Sequence, residues 1–377
     1  MNYIIGIDAS RCRSGGAYAH LFGIISNLDP KKFGISKIYL WSHPALINYI
    51  PDFPWLIKRV PSFLESGILS QIFWQRYLLK GELNDASCDL LFTIDASTFC
   101  KFQNQVVLSQ DMLSYEKGVM ESFGFGKNRL RLLIILFLQN KAFRRARGVI
   151  FLTNYASKVI QNSCGPLLNF KVIPHGIGDE FREVSDDHQK FISPTIKCLY
   201  ISNTALYKHQ WHVVKAIELL RISGFNIEID LVGGGTGKAM RKLDAQLNLS
   251  DPQRIFVREF DFVPNNKLPN FYRKADIFIF ASGCENMPIT LLEGMSSGLP
   301  IVCSNRGPMP EVLVDGGLYF NPEDPVNIAN TIQKLILDPQ FSFDLSKKAK
   351  IISKKYTWKR CSEETFAYLI ENINRKH

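Results

Sequence analysis

The stretch DIFIFASGCENMPITLLEGMSSGLPIVCS, residues 276–304, decides how the fold is read. DIFIFAS (276–282) is an apolar run of strand length, as expected for a strand covered on both faces. A helical pattern follows over 289–297, and PIVCS (300–304) is a second strand-like run. Strand, helix and strand in close succession indicate a parallel sheet with helices on its faces. The same rhythm runs upstream through IKCLYIS (196–202), a helix over 209–223, FNIEIDLVG (225–233), a helix over 237–248, IFVREF (255–260) and a helix over 266–274. In the first half, YIIGID (3–8), VVLS (106–109) and GVIFLT (148–153) read as buried strands, with helices over 17–28 and 68–80.

Two such series predict an α/β protein of two doubly wound domains facing one another across a cleft. The expected boundaries are 1–177 for the first domain, 178–192 for a polar linker, 193–356 for the second domain and 357–377 for a C-terminal helix. That helix has Trp358, Phe366, Leu369 and Ile370 to bury and is expected to pack back on the first domain. Open sheets of this kind bind ligands beyond the carboxyl ends of their strands, so the informative residues should follow strands.

The composition agrees. With 377 residues, 46% of them apolar and 21% charged, the chain has material for two cores and is not a disordered protein. Its 8 cysteines are scattered with no C-x-x-C pair, which speaks against a structural zinc or a disulfide framework and for a reducing compartment. MNYIIGIDAS at the start lacks the pattern of a secretory signal, so a cytoplasmic location is expected. Net charge is +10 and concentrated in the first half, where residues 1–180 hold 20 Lys and Arg against 13 Asp and Glu. Seven of those cations fall in 127–147 with no acid among them. LLIILFL (132–138) at its centre is far short of the roughly 20 residues needed to cross a bilayer. The segment reads either as a helix lying on an anionic membrane surface or as a buried helix with solvated basic ends. No nucleic-acid-binding motif accompanies the charge, and nucleic acid is not expected as a partner.

Three glycine-bearing segments bear on ligand chemistry. Gly15-Gly16 opens the helix after the first strand, where backbone can approach an anion closely. GGGTGKAM (233–240) is not a phosphate-binding P-loop: the position for its first glycine holds Val232, and Ala239 replaces the metal-binding hydroxyl. In CENMPITLLEG, Glu285 and Glu293 straddle the start of a helix with Pro288 at its first position. The amides of Ile289 and Thr290 then face a diphosphate, while Glu285 and Glu293 suit sugar and ribose hydroxyls.

These segments, with YRKADIFIFAS, SGLPIVCSNRGPMPEV, KVIPHGI (171–177) and SGGAYAHL, resemble retaining glycosyltransferases of the GT-B fold, family 4. The resemblance implies a donor site made of Gly15, Gly16, Asn203, Lys208, Phe262, Glu285, Asn286, Met287, Pro288, Ile289, Thr290 and Glu293. Within it Glu285 and Lys208 carry catalysis, Lys208 as the diphosphate's cation and Glu285 on the transferred sugar. Gln110, Asp111 and His175 are implied sugar or acceptor contacts. The implied reaction moves a hexose-type sugar from a GDP- or UDP-sugar to a polysaccharide or lipid-linked glycan. No cofactor or metal is expected, since the chain has no D-x-D triplet. Two positions depart from the pattern: Ser202-Asn203 where relatives carry Gly-Arg, with Arg306 or His209 as compensation, and Gln110 where relatives carry histidine. Those departures keep a non-catalytic nucleotide-sugar-binding subunit open as an alternative, beside an epimerase or phosphorylase on the same fold.

Overall fold

The computed structural model describes residues 2–12, 15–182 and 194–375. They form two compact units, one of residues 1–176 with 357–377 and one of residues 177–356.

The first unit is built on seven parallel strands: β1 (Tyr3–Asp8), β2 (Ile35–Trp41), β3 (Leu56–Arg59), β4 (Leu90–Thr93), β5 (Gln105–Leu108), β6 (Gly148–Phe151) and β7 (Phe170–Val172). Their spatial order is β3-β2-β1-β4-β5-β6-β7. β4, β5 and β6 are buried at every position, which is why 106–109 and 148–153 read as apolar runs. The second unit has six parallel strands, β8 (Ile196–Ile201), β9 (Ile227–Val232), β10 (Val257–Phe260), β11 (Ile277–Phe280), β12 (Ile301–Ser304) and β13 (Leu318–Phe320), ordered β10-β9-β8-β11-β12-β13. The order reverses between β1 and β4 in one sheet and between β8 and β11 in the other. Loops leaving the two strands at such a point diverge and open a crevice at the carboxyl edge.

Four differences from the sequence expectation have physical causes. The 68–80 helix is three pieces: α-helices Ile68–Phe73 and Leu79–Asp85 with a π-helical turn at Trp74–Leu78 between them. The extra residue of a π turn aims Gln75 Nε2 at Asp8 Oδ2 (2.8 Å) and Ser10 Oγ (3.1 Å), a tie no hydrophobic period reveals. Pro288 caps the Ile289–Ser296 helix instead of opening it. The polar stretch expected as a linker starts with a packed turn, Asp179–Phe181, in the second unit. Phe181 is buried edge-on to Tyr272 and its carbonyl accepts the Ser297 hydroxyl; residues 183–192 lie outside those described. Finally, Ile177 joins the second unit through its amide on the Tyr356 carbonyl (3.2 Å).

The C-terminal helix, Trp358–Asn374, lies in the first unit against Gly16–Ser26. Thr357 caps it by accepting the Arg360 amide, and the Ser362 hydroxyl donates to the Ile24 carbonyl at 2.7 Å. Gly23 allows this approach, because a Cβ there would fall 2.2 Å from the Trp358 ring.

Candidate donor site and the polar loops of the first unit

In the second unit the loops after β8 and β11 lie side by side, tied by the Gly283 amide on the Tyr207 carbonyl (2.6 Å). Lys208 ends a short 3-10 turn and is buried, with the Tyr200 hydroxyl holding its carbonyl at 2.6 Å. Its Nζ donates to Glu285 Oε1 and stands 5.3 Å and 5.6 Å from the Tyr207 and Phe280 ring centroids. The two residues expected to carry catalysis are thus one ion pair at the mouth of the Ile289–Ser296 helix. The first-turn amides of Ile289 and Thr290 have no carbonyl partner within that helix by its geometry. Gly294 seats the helix, since a Cβ there would lie 2.6 Å from the Phe278 ring on β11. Asn286, Met287 and Pro288 are buried beneath the loop, while Asn203 is exposed.

Glu293 is buried on the same helix, so it is not a solvated helix carboxylate. Its Oε2 accepts from the Tyr272 hydroxyl at 3.0 Å, a hydroxyl also 3.0 Å from the Thr290 carbonyl. Burial pushes the Glu293 carboxyl up to about 7; the Tyr272 hydrogen bond opposes this and the nearby Glu180 adds to it.

His209 does not replace the missing arginine. Burial, with His212 and Arg306 near, lowers its pKa to about 4, so the ring is neutral at physiological pH. Arg306 is exposed, its guanidinium donating to Asn321 Oδ1 at 3.4 Å. Phe262 is 80% exposed beyond β10. Beside that strand lies a cavity of about 220 Å³ lined by Thr204, Gln210, Gly234, Glu259, Phe260 and Asp261. Sequence reasoning missed it, although the GGGT turn that forms one wall was noticed for another reason. Thr204 and Gly235 pair as an isolated bridge there.

In the first unit Gly15 caps the Gly16–Ser26 helix at φ 67°, ψ −139°, a conformation glycine alone adopts readily, and both glycines are exposed. The carboxyl ends of β1, β4 and β5 gather Asp8, Ser10, Arg11, Asp95, Gln110 and Asp111. Arg11 Nε lies 3.5 Å from Asp95 Oδ2. Burial raises the Asp111 carboxyl, the Leu113 amide opposes this, and Asp95 adds to the rise. The Gln110 Nε2 is buried with no acceptor, an orphaned donor suited to a hydroxyl. His175, expected to contact sugar or acceptor, is instead inside the fold: its Nδ1 lies 3.0 Å from His20 Nδ1 and its ring packs on Trp358. Burial depresses both imidazoles, His20 to about 3, so each is neutral.

Two parallel sheets of this order, each with its polar loops beyond the carboxyl edge, define the GT-B type of α/β protein. Sucrose-phosphate synthase from Thermosynechococcus elongatus superposes with TM-score 0.75 at 16% identity, covering 97% of each chain. The Anabaena HepE protein in complex with UDP-glucose superposes with TM-score 0.71 at 18% identity over 97% of this chain and 98% of that one. At such identities the likeness concerns the fold. Residues 182–352 match the family model described as Glycosyl transferases group 1. O-antigen chain mannosyltransferase B of Escherichia coli is 32% identical over 110 residues, 29% of each protein. Protein CapJ of Staphylococcus aureus is 28% identical over 172 residues, 44% of this chain and 43% of its own. The chain therefore spans well under half the length of the curated relatives it matches. Among the described residues no three His, Cys, Asp or Glu side chains gather as a metal site, and no helix is long and apolar enough to cross a membrane.

Proposed function

We propose that the chain is a retaining glycosyltransferase that moves a hexose-type sugar from a nucleotide-sugar to a polysaccharide or lipid-linked glycan in cell-surface glycan synthesis. The observation that carries this reading is the ion pair of buried Lys208 with half-buried Glu285 at the N-terminus of the Ile289–Ser296 helix. A cation and open helix amides suit a diphosphate, and the carboxylate suits the hydroxyls of the sugar attached to it. A bound donor would take both partners of the pair, the ammonium turning to phosphate and Glu285 accepting from the sugar. Glu293, already anchored by Tyr272, would accept from ribose, and the cavity beside β10 has the polar edges to take the base.

In the reaction the acceptor oxygen bonds to the anomeric carbon on the face from which the nucleotide leaves. The bond from that carbon to the phosphate oxygen breaks, and the acceptor proton passes to that oxygen. Gln110 cannot take a proton, and this route needs no enzymic base. The protein aligns the two substrates and stabilises charge growing on the diphosphate through Lys208, Arg306 and the amides. With those donors in place we propose turnover without a divalent cation.

A mannosyltransferase among the relatives and a UDP-glucose complex among the structural neighbours leave GDP and UDP donors both in view. The test is Glu285→Ala assayed with a panel of UDP- and GDP-sugars. It should cut transfer at least about 100-fold, the scale of a lost transition-state contact, while nucleoside diphosphate binding stays within a few fold. Unchanged transfer by the variant rules the mechanism out. A wild type that binds donor yet transfers to no glycan favours the non-catalytic reading.

We further propose that the chain works at the cytoplasmic face of a membrane. On the Lys127–Arg145 helix, Leu132, Gln139 and Phe143 are buried, whereas Leu130, Leu133, Ile134 and Phe137 are exposed on another face flanked by cations. A helix buried through its apolar centre would not leave those four in solvent; a peripheral helix on anionic lipid would.

A further inference from the structure

The first unit holds a cavity of about 870 Å³ on the edge opposite its polar loops. Asp89 and Asn104 line it immediately before β4 and β5, at the amino ends of strands whose carboxyl ends carry Asp95 and Gln110. A four-residue strand separates the two edges by roughly 13 Å. Lys80, Lys101 and Arg145 bring three positive charges to the cavity from three separate segments. Its one acid, Asp89, is committed to the fold, with Oδ2 accepting the Ile4 amide at 2.7 Å.

Arg76 and Lys141 extend this cluster. Arg76 and Arg145, with desolvation and Lys141 adding, hold the exposed Lys101 ammonium below its ordinary pKa, as mutually repelling neighbours do. None of these five cations has an acidic partner among the described residues. Aromatic side chains interleave with them: Arg76 lies 5.1 Å from the Tyr77 ring, Phe73 packs on Tyr77 at 5.2 Å, and Lys141 lies 5.8 Å from the Phe137 ring. Phe73, Tyr77 and Phe137 are 48%, 64% and 62% exposed. Unpaired charge around a pocket of ligand size asks for an anion, and exposed aromatic side chains on the segments that carry those charges ask for something other than a free ion.

We propose that this cavity seats the phosphate of an anionic phospholipid headgroup, with Phe73, Tyr77, Phe137, Leu133 and Ile134 resting in the acyl boundary around it. The proposal rests on the membrane reading above and gives it a defined lipid-binding pocket distinct from the donor and acceptor loops. Inorganic phosphate shares the headgroup's chemistry but would gain nothing from the exposed apolar side chains.

The test is co-sedimentation of the full chain with phosphatidylcholine vesicles and with phosphatidylcholine mixed with phosphatidylglycerol. The wild type should pellet with the mixed vesicles only. A Lys80→Ala, Lys101→Ala, Arg145→Ala variant should lose about 100-fold in partitioning, the equivalent of roughly 1 kcal/mol per cation. A charge-matched control, Lys37→Ala, Lys158→Ala, Lys171→Ala, should lose less than tenfold, because all six side chains are exposed and only the first three line the cavity. Equal loss in the two triple variants, or none in either, overturns the headgroup site while vesicle binding by the wild type keeps the membrane reading. A wild type that pellets with neither vesicle overturns both. Stabilisation of the wild type by inorganic phosphate, abolished in the cavity variant with vesicle binding unaltered, assigns the cavity to free phosphate and overturns the lipid. Leu133→Ser with Phe137→Ser tests the membrane reading separately and should also lose pelleting.

Discussion

Glu293 and Lys208 illustrate how burial turns ordinary side chains into chemical ones. An unfolded glutamate titrates near 4.5, whereas Glu293 in the fold is raised to about 7. Between those values the native state holds a proton that the unfolded state has released. Stability conferred by the neutral acid is therefore full below pH 4.5, falls as pH rises towards 7 and is then constant. Relative to Glu293→Gln, which stays neutral, the wild type should lose about 3 kcal/mol between pH 4.5 and pH 7.5. Urea unfolding of both proteins at the two pH values checks this; a difference independent of pH would show that Glu293 ionises normally. For Lys208 the loss should appear in binding. Lys208→Ala removes a charge-assisted donor typically worth about 1.5–3 kcal/mol, so nucleoside diphosphate affinity measured by calorimetry should drop roughly 10- to 150-fold. Both residues stood out in the sequence, but their environments did not. Lys208 and Glu285 are 77 positions apart, and their pairing depends on adjacent loops at the β8–β11 junction. His175 shows the reverse error: a residue in a familiar segment whose ring is used up by His20 and Trp358.

At the scale of elements, β1, β5, β6, β8 and β11 were visible because parallel strands buried along most of their length read as apolar runs. β3, β7 and β13 were not, since half-buried or exposed positions leave each without a continuous apolar run. The π turn at Trp74–Leu78 was equally silent: its cause is a set of side-chain bonds to Asp8, Ser10 and Glu82. Gly23 gives an element-level test. In Gly23→Ala the added methyl meets the Trp358 ring at 2.2 Å, forcing apart Gly16–Ser26 and Trp358–Asn374. Overpacking of this kind costs about 1–3 kcal/mol, so the melting temperature of the first unit should fall by several degrees. Trp358→Leu in the same background should recover part of the loss.

On the scale of the whole molecule, the chain leaves the first unit near residue 176, builds the second, and returns at 357. The returning helix buries Cys361, Phe366, Tyr368 and Leu369 in the first unit's core. Each large apolar side chain so buried contributes about 1.5–3 kcal/mol, so a chain ending at residue 356 should lose the first unit's stability. Its calorimetric trace should keep one transition, that of residues 177–356, and retain nucleotide binding by that unit. The division into two sheets and the return of the last helix were legible from alternation and from the amphipathic end of the chain. The cation-lined cavity was not, because Lys80, Lys101 and Arg145 are brought together by the fold and belong to no shared motif.

The central claim is that Lys208 and the Ile289–Ser296 helix hold the diphosphate of an activated sugar. Thermal titration of the wild type and of Lys208→Ala with UDP- and GDP-sugars tests it most directly. A donor at 100 times its dissociation constant should stabilise the wild type by about 2.7 kcal/mol, and Lys208→Ala should need at least tenfold more of the same donor for that gain. The claim is contradicted if no nucleotide sugar raises the wild type's melting temperature, or if the variant responds at the same concentrations.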